Sequence, residues 1–239
     1  MDTDGFSSMF GYNPGSSNLN DISVVSDSRG GKALRVFLEE GTIHSKPSGS
    51  HGANIFVPLS ETSDSGCVQY DVRFDSDFDW SLGGKLPGLE GVSAGTAPSL
   101  PTGGQDAGDK GWSGRMMWLT PSSYSWAGPT NMAVSYMYSP GQADKYGDNV
   151  PWEKSFVAGT WHTVKQCYVM NTVGKSDGVL RAWFDGVQVV NDTAYQYRTA
   201  ANVHISHLIF SVFRGGATLD WAGSHDDYID FDNLTVTSS

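Results

Sequence analysis

The sequence predicts an all-β fold, a sandwich of antiparallel strands, and three observations carry that prediction. Short alternating or β-rich runs recur between turn signals along the 239 residues, as in sandwiches of many strands. Aromatic residues make up 12% and glycine fills 29 positions, against only 17% charged residues, a strand-and-turn composition. Asp185-Gly186 separates two apolar runs and supplies the positive φ angles of a tight hairpin.

The runs place strands at 33–38, 53–58, 67–74, 113–119, 132–138, 161–170, 179–184, 187–190, 204–213 and 228–236. Three longer segments, 83–111, 140–155 and 215–227, read as loops of the kind that carry function. The Gly/Pro/Ser-rich stretch 91–108 reads as a flexible surface insertion, and with no repeat, heptad or linker the chain reads as one domain, 1–239. Cys67 and Cys167 both fall on predicted strands and form either one disulfide or two buried thiols.

Composition narrows the partners. The net charge of −11 opposes nucleic acid and anionic membranes, and no run approaches the roughly 20 apolar residues of a membrane span. No leader is visible at Met1-Asp2-Thr3; few lysines, abundant Ser, Thr and Gly, and the sequons at Asn191 and Asn233 predict a secreted protein whose leader has been removed. Nothing in the sequence speaks for more than a monomer.

Several chemistries lack their residues: there is no His-Glu-x-x-His, Cys-x-x-Cys, G-x-S-x-G or P-loop. Glycoside hydrolysis needs paired carboxylates, and the five glutamates form no Glu-x-Asp-x-x-Glu motif. Asp71, Asp75, Asp77 and Asp79 leave an aspartate-based hydrolase open, with a solvated strand edge as the plainer account.

Three segments are informative: Gly83-Gly84-Lys85-Leu86-Pro87-Gly88-Leu89, Gly111-Trp112-Ser113-Gly114-Arg115-Met116-Met117-Trp118 and Val134-Ser135-Tyr136-Met137-Tyr138. The two-residue strand period puts Ser113 and Arg115 on one face, and Tyr136 and Tyr138 on one face. Lys85 would be presented by a Gly/Pro-shaped loop. These cations, hydroxyl and phenols suit β-elimination on a 4-linked uronate. Arg115 would neutralise the substrate carboxylate by a bidentate contact; a tyrosine, its phenolate favoured by Lys85 or Arg115, would take the C5 proton; the same tyrosine or its partner would protonate the departing O4. Taken singly, each motif is more often structural, Tyr-x-Tyr being common cross-strand packing.

These segments resemble polysaccharide lyase family 14, the alginate and glucuronan lyases, over about residues 50–236, including the ending Tyr228-Ile229-Asp230-Phe231-Asp232-Asn233. The resemblance implies a β-jelly roll of two antiparallel sheets with a concave substrate cleft, and catalytic roles for Lys85, Ser113, Arg115, Tyr136 and Tyr138. It implies an acidic polysaccharide as partner: β-1,4-glucuronan first, mannuronate-rich alginate as the alternative. The chain is also similar to the fungal glucuronan lyases of family 20, a comparison that offers His51 and Asn54 as substrate-binding residues. Arg214, where an apolar residue is expected, is a further candidate cation beside the cleft, with a surface arginine as the blander account. The other histidines, His204 and His207 among them, read as structural. Catalysis requires no cofactor, but related jelly rolls hold a structural Ca²⁺, for which Asp230 and Asp232 are the candidate ligands. The reading from a different class is a carbohydrate-binding module stacking sugars on Trp126 or Trp152.

Overall fold

The computed structural model describes residues 1, 3–14, 19–105, 107–120, 128, 130–142 and 144–238. A short helix α1 (Thr3–Phe10) precedes thirteen strands: β1 (Ile22–Ser26), β2 (Lys32–Leu38), β3 (Ala53–Ser63), β4 (Ser65–Phe74), β5 (Gly83–Val92), β6 (Gly111–Leu119), β7 (Met132–Tyr138), β8 (Asp148–Ser155), β9 (Trp161–Val169), β10 (Gly178–Phe184), β11 (Val187–Tyr195), β12 (Ile205–Arg214) and β13 (Asp227–Ser238). They form a seven-stranded sheet in the order β1-β2-β13-β4-β9-β10-β11 and a six-stranded sheet in the order β3-β12-β5-β6-β7-β8. Every pairing is antiparallel. The two inner faces meet in a continuous apolar core, giving a jelly-roll sandwich.

The seven-stranded sheet shows the alternation expected when one face meets the core. In β4, Val68, Tyr70, Val72 and Phe74 point inward and are fully buried, with half-buried residues between them. The central strands of the other sheet do not alternate: β6 and β7 are buried at every position and β5 at all but its last. Their outer faces are therefore roofed, and what lies under the roof includes Lys85, Glu90, Ser113 and Arg115.

The hairpin at Asp185-Gly186 has φ angles of 49° and 78° at the two turn residues, as its sequence requires. Cys67 and Cys167 lie opposite each other on β4 and β9 and are disulfide-bonded. The α-helix and three of the strands are missing from the sequence reading: α1, β1, β5 and β8. Segment 83–111 is a strand for its first ten residues, not a loop. Pro87 is accommodated by a register shift between Leu86 and Gly88, so its missing N–H removes no regular ladder bond. Strand β8 carries Pro151 at the sheet edge, where proline is tolerated.

The bridge closes a separation of 100 residues. Replacing both cysteines by alanine is expected to cost about 3–5 kcal/mol through the freer unfolded chain, seen as a lower thermal midpoint; an unchanged midpoint would contradict this.

Candidate active site

Register across the six-stranded sheet brings the functional side chains together. Arg115 pairs with Gly88 on β5 and with Tyr136 on β7, while Ser113 pairs with Glu90 and Tyr138. Lys85 and Val134 flank Met117 on the next rung. Paired residues project to the same side of a sheet, so Lys85, Glu90, Ser113, Arg115, Tyr136 and Tyr138 share the outer face. Gly88 is required there: a Cβ would lie 1.9 Å from the Gly114 carbonyl oxygen, leaving no room beside Arg115 for any side chain.

Three loops roof this face, each through a bond to one of its side chains. The Ser113 hydroxyl donates to the Pro101 carbonyl. Gly104 N–H donates to the Tyr138 hydroxyl at 2.9 Å, and Gly147 N–H to the Tyr136 hydroxyl at 3.3 Å. The Lys85 amine donates to the Gly215 carbonyl at 2.9 Å. The segment read as a free surface insertion thus closes over the site, and Ser113 anchors it there.

The remaining cavity, about 230 Å³, is lined by His44, Asn54, Lys85, Arg115, Tyr136, Tyr138 and Tyr146, among others. The two phenol oxygens lie 3.2 Å apart with their rings edge to face. Lys85 Nζ sits 4.6 Å from the Tyr136 ring centroid, and the Arg115 guanidinium carbon lies 5.5 Å and 5.9 Å from the two rings. Burial, reinforced by the neighbouring Arg115 charge, holds the Lys85 amine well below its usual 10.5. Burial, with Tyr138 beside it, pushes the Tyr136 phenol up. Burial also lowers Arg115, against the pull of both phenols and Glu90, yet guanidinium stays charged in proteins.

The structure separates the other candidates. Asn54 lines the cavity, with its Oδ1 accepting from Ser211 Oγ. His51 does not line it: its ring lies between Glu39 and the Ser48 carbonyl. The imidazole that lines the cavity is His44, stacked on Phe213 at 4.5 Å, with burial lowering its pKa. Arg214 is a correction: it points into the interior, paired with Asp227 and bonded to the Leu38 carbonyl, and is only 2% exposed. Its neighbours in sequence do line the site, and alternation along β12 sends Phe213 outward and Arg214 inward.

The calcium assignment is a second correction. Asp230 is held by Arg35 and Arg73, and Asp232 by Arg29, which it shares with Asp27 and Asp71, so both carboxylates are committed to guanidinium groups and do not form a cation site of their own. Among the described residues, the carboxylates of Asp75, Asp77 and Asp227 lie within 4.8 Å of one another, but Asp227 is already paired with Arg214. Asp71 accepts from Thr163 and Arg29 on the opposite sheet, far from any partner carboxylate on the roofed face. Trp152 is buried, its indole N–H donating to Ser135, so it offers no stacking surface; Trp126 lies outside the described residues.

Glu90 and Tyr146 were missed along with His44. Glu90 is fully buried, neither carboxyl oxygen has a hydrogen-bond partner among the described residues, and burial raises its pKa well above 4.5 against the pull of Arg115. Its folded state therefore holds a proton that the unfolded chain loses, and that contribution to stability disappears as pH rises. The stability of the wild type relative to Glu90→Gln should fall as pH climbs above 4.5, read from urea unfolding across pH. A difference independent of pH would show that Glu90 is ionised throughout.

A family model for polysaccharide lyase 14 matches residues 26–234. The chain is similar in structure to the alginate lyase Aly36B, solved as a variant with a lysine and a tyrosine replaced by alanine and in complex with an alginate tetrasaccharide. The identity is 28%, the match covers 100% of this chain and 91% of that one, and the TM-score is 0.80. It is similar to the marine PL-14 alginate lyase from Aplysia kurodai, at 26% identity, 92% and 88% coverage and a TM-score of 0.79. The endo-β-1,4-glucuronan lyase from the fungus Trichoderma reesei shares the fold at 14% identity, 93% and 89% coverage and a TM-score of 0.59. No curated protein matches the chain.

Proposed function

The chain belongs to polysaccharide lyase family 14 and is a polysaccharide lyase, and we propose that it cleaves mannuronate-rich alginate internally by β-elimination. The substrate is ordered differently from the sequence expectation of glucuronan first. The similar structures at 26% and 28% identity are alginate lyases, whereas the glucuronan lyase stands at 14%. Mannuronate and glucuronate differ only at C2, away from the eliminated bond, so glucuronan remains the second substrate to assay.

The observation that carries the reading is the burial of Lys85 and Arg115 against the tyrosine pair. Arg115 takes the uronate carboxylate and makes the adjacent C5 proton acidic. The burial that favours a neutral amine makes Lys85 the base that removes this proton, and the burial that keeps the Tyr136 phenol protonated makes it the acid at O4. The C5–H electron pair becomes the C4–C5 double bond and the C4–O4 pair leaves with the tyrosine proton. Return of the proton from Lys85 to Tyr136 restores the site. This reverses the sequence expectation of a tyrosine base. In mannuronate and glucuronate the C5 hydrogen and O4 lie on one side of the ring, which suits an acid and a base standing side by side on one sheet face.

Internal cleavage fits a site that continues in both directions. Lys85, Tyr136, Tyr146, Gly216 and Ala217 line both the central cavity and a second one reaching Trp221, and Asn54 joins the central cavity to a third beyond Phe56 and His207. The disulfide suits an extracellular place of action.

The test is the ultraviolet absorbance of the conjugated C4–C5 double bond on polymannuronate, glucuronan, polyguluronate and pectate. A rise on polymannuronate is expected. Tyr136→Phe should lower kcat about 10²- to 10⁴-fold while retaining polymer binding. Binding without a rise on any polymer, by folded wild-type protein, would overturn the lyase reading in favour of a binding module.

A further inference from the structure

The third cavity, about 350 Å³, is lined by Tyr12, Pro14, Asn54, Phe56, Pro98 and His207, among others. It lies on the catalytic face. His207 pairs with Glu90 on one side and with Pro58 on the other, and Glu90 pairs with Ser113, which pairs with Tyr138. His207 thus stands on the same rung as the second tyrosine, three strand spacings or roughly 14 Å away, too far to touch the sugar unit being cleaved.

Its ring is set by a relay. Val92 N–H donates to Ser206 Oγ at 3.2 Å, and Ser206 Oγ lies 2.8 Å from His207 Nδ1, which is also 3.6 Å from Glu90 Oε1. These contacts engage Nδ1 and leave Nε2 as the ring nitrogen available to a ligand. Burial lowers the pKa of this imidazole. Nε2 has no hydrogen-bond partner among the described residues. Around this nitrogen stand the apolar surfaces of Tyr12, Phe56 and Pro98, with Asn54 as a second polar group, a combination found in ligand sites. Tyr12 and Pro14 precede residue 26, where the family match begins, so this wall is built partly by residues outside that match.

We propose that this cavity is a distal uronate subsite, in which His207 Nε2–H donates to the carboxylate of a sugar unit flanking the cleaved one while Tyr12, Phe56 and Pro98 pack on its ring. The proposal rests on the lyase reading above. The subsite lengthens the grip on the polymer and makes the enzyme favour long chains over short ones. It also gives His207 a binding role, where the sequence suggested a structural one.

The experiment compares kcat/KM on polymannuronate with kcat/KM on the shortest oligomannuronate that the wild type cleaves, for wild type, His207→Ala and Tyr12→Ala. Circular dichroism shows that each variant is folded, and Tyr12, outside the sheet, covers the case in which His207→Ala is not. The advantage of polymer over oligomer is expected to shrink about tenfold in His207→Ala, the worth of one hydrogen bond to a charged group, and to shrink in Tyr12→Ala through the lost ring contact. An unchanged advantage in folded Tyr12→Ala and His207→Ala, or an equal loss on both substrates, would overturn the subsite. If the wild type cleaves no uronate polymer, the lyase reading fails instead, an outcome visible before any variant is made.

Discussion

Everything chemical in this molecule depends on the burial of two basic side chains, Lys85 and Arg115, on the outer face of a β-sheet. An outer face normally meets water, and there a lysine is a solvated ammonium and a tyrosine an ordinary phenol. Here the loops that bond to Ser113, Tyr136, Tyr138 and Lys85 exclude solvent from that face. Desolvation penalises charge in both groups, which moves the amine down and the phenol up. One physical effect thus produces a base and an acid side by side. The sandwich beneath supplies rigidity: the strands bearing these residues are hydrogen-bonded to neighbours on both sides and packed on the core.

Charge pairing elsewhere explains how a protein of net charge −11 can receive a polyanion. Arg29, Arg35, Arg73, Arg198 and Arg214 are each committed to aspartates. Arg115 has no carboxylate within ion-pair distance among the described residues, and its Nε has no hydrogen-bond partner there. Its nearest acid, Glu90, is pushed toward the neutral form by burial. The guanidinium is therefore left for the substrate, and the acidic surface matters less than the local excess of positive charge in the cavity.

Strand periodicity was enough to read the sandwich, the hairpin at Asp185-Gly186 and the shared faces of Ser113 with Arg115 and Tyr136 with Tyr138, because each depends only on neighbours in sequence. What depended on cross-strand pairing was not legible. Asp230 and Asp232 look like free ligands along β13, but Arg35 and Arg73 stand directly opposite Asp230 on the flanking strands. Gly83-Gly84 and Pro87-Gly88 read as a loop because they break strand propensity locally, whereas close approach to β6 and a register shift are what they serve. His44 and His51 lie in an irregular segment with no period to orient a side chain, so the sequence could not say which one faces the cavity. Glu90 gave no signal, since an isolated glutamate on an unrecognised strand is ordinarily a surface residue.

The measurement that tests the central claim most directly is the pH dependence of kcat/KM on the polymer cleaved, whose rising limb reports the group that must lose its proton in the free enzyme. A rising limb centred well below 10.5 that disappears in Lys85→Met, with Lys85→Arg no more active than the methionine variant, is the result predicted from the buried amine. A rising limb at the ordinary lysine value, or one that persists unchanged in Lys85→Met, would contradict it and return the base to another residue.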